Sequence, residues 1–159
     1  MTKKLTLPDL PLMGGCQCGA VRYKLCGPPV VFYICHCTEC QKQSSGAFGQ
    51  SLQVRRNDLK VEGKLHVWQR SSDSRNLVAG EFCPECGSRL FHRREGYQDR
   101  LNIKAGTLDD TSWLWPAGHI WTKSKQPWVD LSETMLDYPG QPENFDALTE
   151  RWQQMTASN

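Results

Sequence analysis

The sequence predicts a mainly β domain, and three observations predict it. Short runs of β-branched and aromatic residues recur along most of the chain, separated by Gly-, Pro- or polar-rich turns. Helical periodicity is confined to one late segment. Eight cysteines fall in tight clusters at the ends of the predicted strands, with one left over.

In chain order, residues 1–13 read as a loose leader broken by Pro8 and Pro11. Val21, Tyr23 and Leu25 alternate with Arg22 and Lys24, the pattern of a half-buried strand. Gly27-Pro28-Pro29 makes a turn. The run Val30-Val31-Phe32-Tyr33-Ile34 reads as a buried strand that delivers the chain into Cys35. Further strands are expected over residues 48–54, 64–68, 76–82, 89–92 and 101–105. A short helix follows Cys40 through residues 41–43, with Gly46 ending it. Over residues 143–155, Phe145, Leu148, Trp152 and Met155 recur at helical spacing, with Asn144 placed to cap the first turn. That helix is expected to pack on the sheet.

A chain of 159 residues, 38% apolar and 23% charged, suits one domain with a buried core. No run approaches the length of a membrane span. The N-terminus carries two lysines, but Pro8, Asp9 and Pro11 exclude the apolar segment of an export signal. A cytoplasmic protein with no membrane partner is expected. The formal net charge of +2 is weak, and seven thiolates around two divalent cations would reverse its sign. No basic stripe stands out, so no nucleic-acid partner is expected.

The cysteines carry the chemistry. The clusters are Gly14-Gly15-Cys16-Gln17-Cys18-Gly19, Cys35-His36-Cys37-Thr38-Glu39-Cys40 and Cys83-Pro84-Glu85-Cys86-Gly87. A disulfide framework fits poorly: the compartment is expected to be reducing, and a bridge across Cys16-Gln17-Cys18 would strain the bond's geometry. Zn²⁺ takes tetrahedral thiolate or imidazole ligands, and short loops bring two or three sulfurs to one point. A thioredoxin-like redox pair at Cys83 and Cys86 should open a helix, whereas residues 87–91 read as turn then strand. A nucleobase deaminase wants a His-x-Glu motif and Pro before its first Cys, but His36 precedes Cys37-Thr38 and Phe82 precedes Cys83. One pair from the first cluster and one from the third make a closed four-sulfur site: Cys16, Cys18, Cys83 and Cys86. The second cluster supplies three thiolates, Cys35, Cys37 and Cys40, and three protein ligands with an open position is the pattern of a catalytic zinc. Spacing alone leaves open whether Cys26, His36, His66, His92 or His119 fills the fourth position. The ring of His36 is expected to point away from its flanking sulfurs, and Cys26 reads as a plain free thiol.

These motifs, with Ala20-Val21-Arg22-Tyr23, Gln41-Lys42, Gly46, Phe82, Ser88, Gly106-Thr107-Leu108-Asp109-Asp110, Pro116-Ala117-Gly118-His119-Ile120-Trp121 and Pro127-Trp128, resemble the glutathione-dependent formaldehyde-activating enzymes, the CENP-V/GFA domain. The resemblance runs from about residue 14 to residue 139. It implies a zinc-bound β-tent of antiparallel strands with a few short helices over residues 14–139; the helical spacing read above adds a C-terminal helix that packs on it and a tail over residues 140–159. It implies two Zn²⁺ per chain: a structural ion on Cys16, Cys18, Cys83 and Cys86, and a catalytic ion on Cys35, Cys37 and Cys40. It also implies a carbon–sulfur lyase reaction on a thiol–aldehyde adduct such as S-(hydroxymethyl)glutathione, with glutathione and a small aldehyde as partners. Oligomeric state is not legible. A non-catalytic zinc module and a thiol redox or zinc sensor are the competing classes. For glutathione's carboxylates, Arg55-Arg56, Arg70, Arg75 and Arg93-Arg94 are available, each with a solvated surface as its default role. Trp68, Trp113, Trp115, Trp121 and Trp128 are expected in the core first and at a cleft second. His119 reads as a hydrogen-bonded structural histidine, and Asp109-Asp110 as a turn.

Overall fold

A computed structural model describes residues 2–72 and 75–157. Among them lie eleven strands and two helices: β1 (Leu12–Gly15), β2 (Arg22–Leu25), β3 (Val31–Cys35), α1 (Thr38–Ser44), β4 (Gly49–Arg55), β5 (Leu59–Glu62), β6 (His66–Ser71), β7 (Leu77–Phe82), β8 (Arg89–Arg94), β9 (Arg100–Lys104), β10 (Gly118–Ile120), β11 (Leu136–Tyr138) and α2 (Asp146–Thr156). The fold is mainly β, as expected. The chain forms two compact units, one of Met1–Leu7, Val30–Ser51 and Trp113–Asn159, the other of Pro8–Pro29 and Leu52–Ser112. The boundary between them falls within β4.

The first unit is built on β3, whose five residues are all buried. That is why its sequence is a continuous apolar run and not an alternation. β10 pairs parallel with both β3 and β11, within a fold expected to be mostly antiparallel. Parallel strands need long connections, and the segment from β3 to β10 supplies one that carries α1. Leu148, Trp152 and Met155 of α2 are buried, and Trp152 meets Phe32 of β3 edge-on at 6.3 Å between ring centroids. Burying such a side chain contributes about 2–3 kcal/mol. The Asn144 side chain accepts the Asp146 amide at 3.0 Å, but Phe145 occupies the N-cap position, so Asn144 serves the first turn from one residue further out. The Leu5 amide bonds the Met155 carbonyl at 2.8 Å and Lys4 bonds that of Gln154, so part of the N-terminal segment read as loose is tied to the end of α2.

The second unit holds a three-stranded antiparallel sheet, β1-β2-β5, and the antiparallel run β9-β8-β7-β6. Tyr23 and Leu25 of β2 are buried while Arg22 and Lys24 are not, which is the alternation read from sequence. Tyr23 packs edge-on against Phe91 at 5.2 Å and its hydroxyl meets the Thr107 hydroxyl at 2.8 Å. Asp109 forms an ion pair with Arg22. Asp110 accepts the Ser112 amide and hydroxyl, a local turn of the kind expected for the Asp109-Asp110 pair.

Candidate metal centres

In the second unit, the turn after β1 carries Cys16 and Cys18, and the turn between β7 and β8 carries Cys83 and Cys86. Each turn folds back on itself. The Cys16 amide bonds the Val21 carbonyl, the Gly19 amide bonds the Cys16 carbonyl, and the Gly87 amide bonds the Cys83 carbonyl. Gly19 and Gly87 close these turns at φ +81° and +74°, backbone that side-chain-bearing residues rarely adopt. Cys86 is followed by turn and strand, not by a helix, which disposes of the redox-pair alternative.

The four sulfurs lie within 4.8 Å of one another. Cys18 Sγ is 3.5 Å from Cys16 Sγ and 3.7 Å from Cys83 Sγ. Tetrahedral Zn–S bonds of about 2.3 Å place sulfurs about 3.8 Å apart, so the cluster has the span a metal ion requires. Cys16 and Cys83 are buried, Cys86 is half-buried and Cys18 is exposed. Amide and hydroxyl donors face the sulfurs: the Val21 amide approaches Cys16 Sγ at 3.2 Å and the Ser88 hydroxyl Cys86 Sγ at 3.2 Å. The Ser88 hydroxyl and amide pull the Cys86 thiol down to about 5. Such donors stabilise thiolates, the form that binds metal.

The first unit holds the other cluster. β3 ends at Cys35, and Cys37 caps α1, its sulfur accepting the Cys40 amide at 3.3 Å. The helix therefore begins before Cys40, one turn earlier than the sequence suggests, and it ends on Ser45 in the left-handed region, one residue before Gly46. A sulfur at the N-cap stands in for the usual hydroxyl or carboxylate because it bonds the same orphan amide. Cys35, Cys37 and Cys40 place their sulfurs within 4.8 Å of one another. Neighbouring Cys35 and Cys40 sulfurs hold the Cys37 thiol far below its ordinary value, while the same proximity pushes Cys35 up. That is how crowded thiols behave when one charge is favoured and the next opposed. Among the described residues no fourth His, Cys or carboxylate completes this cluster.

His36 is fully buried, and its ring turns to His119, Nε2 lying 2.9 Å from His119 Nδ1 with the two rings stacked. Burial, then the neighbouring His119, push His36 down to about 4. His119 also contacts Met135 Sδ at 3.2 Å. Both histidines thus have packing roles, as expected, and neither joins the sulfurs. In the other unit, His66 packs on Phe82, His92 bonds Asn102, and Cys26 is an exposed free thiol.

Sequence reasoning missed the polar chain beside this cluster. Gln41 donates from Nε2 to the carbonyls of His36 and Ser124, both at 2.9 Å. Gln126 donates to Gln41 Oε1 at 3.2 Å, and Trp128 Nε1 donates to Gln126 Oε1 at 2.7 Å. An open cleft of about 500 Å³ is lined by Gln41, Lys42, Ser45, Gly46, Ala47, Gln126 and Trp128. Trp128 is 71% exposed. The core role expected for it is therefore corrected, as it is for Trp68 and Trp115, which are also exposed; Trp113 is buried. The signal was the pairing of two glutamines with a tryptophan after Pro127, which no periodicity could rank.

A family model described as "Glutathione-dependent formaldehyde-activating enzyme" matches residues 11–124. A Halomonas elongata protein that carries the same family name is 28% identical over 140 residues, covering 83% of this chain and 89% of the relative. Among solved structures, the chain is similar to the crystal structure of a Rhodobacter sphaeroides protein from a structural-genomics programme. The TM-score is 0.50 at 22% identity, over 62% of this chain and 88% of that one, a likeness of fold. With the match spanning both cysteine clusters, the chain belongs to the glutathione-dependent formaldehyde-activating enzyme family.

Proposed function

We propose that this protein is a zinc-dependent enzyme of the carbon–sulfur lyase type, acting on the adduct of a small thiol and a small aldehyde, with glutathione and formaldehyde as the pair the family name indicates. The observation that carries the reading is a three-thiol cluster lacking a fourth protein ligand among the described residues, beside an open cleft, in a chain of this family. Cys16, Cys18, Cys83 and Cys86 are assigned to a structural zinc, and Cys35, Cys37 and Cys40 to a catalytic one. The working domain is residues 14–139, and residues 140–159 supply a C-terminal helix that packs on it, followed by a tail. Eight free thiols suit a reducing compartment, and a cytoplasmic location is part of the proposal.

Cys35, Cys37 and Cys40 would hold the zinc ion, which when bound would make a substrate thiol more acidic. Three sulfur ligands leave such a centre net negative, which favours carrying a thiol over polarising a carbonyl. In the forward reaction a new S–C bond forms at the aldehyde carbon, the carbonyl π bond breaks, and the thiol's proton ends on the new hydroxyl; the lyase direction reverses each change. The protein's own groups position the reactants. The cap on α1 fixes Cys37 and Cys40 relative to each other. Gln41 anchors the backbone between Cys35 and Cys37 through the His36 carbonyl, and Trp128 and Lys42 offer a wall and a cation at the cleft.

The test is exchange spectroscopy by NMR on glutathione mixed with formaldehyde, with the uncatalysed exchange as the baseline. The native protein should accelerate exchange, and Cys37→Ser, with its fold retained, should return it to baseline. Full acceleration by that variant would sink the reading.

A further inference from the structure

The second unit carries a group of cations that the thiol chemistry leaves unused. Cross-strand partners share a face of a sheet. Trp68 is opposite Gly80 and Arg70 opposite Val78; Gly80 is opposite His92 and Val78 opposite Arg94; His92 is opposite Asn102. One face of β6–β9 therefore presents Trp68, Arg70, His92 and Arg94, together with Lys104, two residues beyond Asn102 on the same strand. Arg89 joins them from the start of β8. A Cβ on Gly80 would lie 1.6 Å from Arg89 Nη1, so the guanidinium rests on the bare glycine backbone, with its carbon 5.2 Å from the centroid of the Phe82 ring. Among the described residues of these four strands the one carboxylate is Glu81, which is opposite Phe91 and pairs with Arg93. It thus belongs to the alternate set of positions. The sequence-based reading of Arg70 and Arg94 as solvated surface is corrected: both are half-buried.

Two donors on this face lack an acceptor. Arg89 Nη1 and His92 Nδ1 are buried with no hydrogen-bond partner. Asn102 Nδ2 lies 3.0 Å from His92 Nε2; an amide nitrogen only donates, so Nε2 accepts and the proton of a neutral ring sits on Nδ1. Burial, then the positive field of Lys104, Arg70, Arg89 and Arg94, hold His92 well below its ordinary value and keep the ring neutral. Leaving a buried donor unsatisfied costs stability, and gathering like charges adds to that cost. An anion would offset both.

We propose that this face of β6–β9, centred on Arg89 and His92 and ringed by Arg70, Arg94 and Lys104, binds a small carboxylate- or phosphate-bearing anion, with Trp68 as an exposed wall. Guanidinium groups suit either oxyanion through paired N–H donors. This site does not depend on the thiol–aldehyde reading: inorganic phosphate takes no part in that chemistry, and glutathione enters only as a carboxylate probe read at the His92 ring and the Gly80 amide.

The experiment is a titration of the full chain at low ionic strength, first with inorganic phosphate and separately with glutathione, read by NMR at the His92 ring and the Gly80 amide. At least one probe should give a saturable shift with a dissociation constant below about 10 mM. Arg89→Gln and Lys104→Gln should each weaken it about tenfold, a loss of about 1.4 kcal/mol, while Lys60→Gln, at an exposed residue of β5 outside these strands, leaves it unchanged. Two separate variants keep the test alive should Arg89→Gln fail to fold. Saturation by phosphate alone assigns a phosphorylated ligand, and saturation by glutathione alone assigns a carboxylate ligand; both support the site. No saturable response to either probe, or the same response in both variants, overturns it.

Discussion

The two cysteine clusters contain nearly the same parts and are assembled differently. One draws its four sulfurs from two turns far apart in sequence, Cys16 and Cys18 on one and Cys83 and Cys86 on the other. A metal there cross-links the chain, and the free energy of binding it is also free energy of folding. The other draws three sulfurs from six consecutive residues at the end of β3 and the start of α1. The backbone already holds that segment through the Cys37 cap, the Gln41 bonds and the His36–His119 contact. Losing a metal there would remove little long-range order. On the proposed reading, the sequence distance that the ligands span and whether the last position is filled separate structure from chemistry, more than the ligand type does.

The largest expected effect follows from that contrast. Apparent binding energies of structural zinc are about 10–16 kcal/mol, while a whole domain is stable by about 5–15 kcal/mol. Cys83→Ser should therefore abolish cooperative thermal unfolding, and Cys37→Ser should retain it while removing catalysis. Similar melting losses in the two variants, followed by circular dichroism, would erase the distinction.

A middle-sized effect tests the polar support of the three-thiol segment. Gln41→Ala removes three side-chain bonds at once, although the Ser124 hydroxyl still donates to the His36 carbonyl at 3.1 Å. The expected stability loss is about 1–2 kcal/mol in denaturant titration, with a larger proportional loss of catalysed adduct exchange. A change in stability alone would make the glutamine a packing element only.

The smallest effect concerns the unit of the four-cysteine cluster. His92 faces Lys104, Arg70, Arg89 and Arg94, and its folded-state pKa lies below the unfolded value of about 6.5. The unfolded chain then binds the extra proton first, so this contribution is complete above about pH 6.5 and is lost as pH falls below it. Denaturant midpoints should decline from pH 7.5 to pH 5.5, at metal saturation, and His92→Gln should flatten part of that decline. An identical pH dependence in the variant would contradict the assignment.

How far the sequence reads depends on how local each feature is. Both cysteine clusters were legible because spacing of two or three residues is a local property. β3 was legible because five consecutive apolar residues have few other uses. β1, β5, β10 and β11 were not: each is three or four residues long, and pairing with other strands, more than any local pattern, marks them as strands. The parallel pairing of β10 with β3 is set by partners some 85 residues apart, which no window along the chain can see. The cationic face was hidden for the same reason. Arg70, Arg89, Arg94 and Lys104 look like scattered surface charges until strand register aligns them and the missing side chain of Gly80 lets Arg89 fold over the sheet. Trp128 escaped because an exposed tryptophan held by a glutamine resembles a core tryptophan in sequence.

Unequal roles for the two clusters can be tested most directly by graded chelation of the zinc-loaded protein, following released zinc, adduct exchange and circular dichroism on one sample. Two zinc ions per chain should leave in sequence. The first departure should abolish catalysed exchange with the fold intact, and the second should coincide with unfolding. Release of both ions together, or unfolding at the first departure, would contradict those unequal roles.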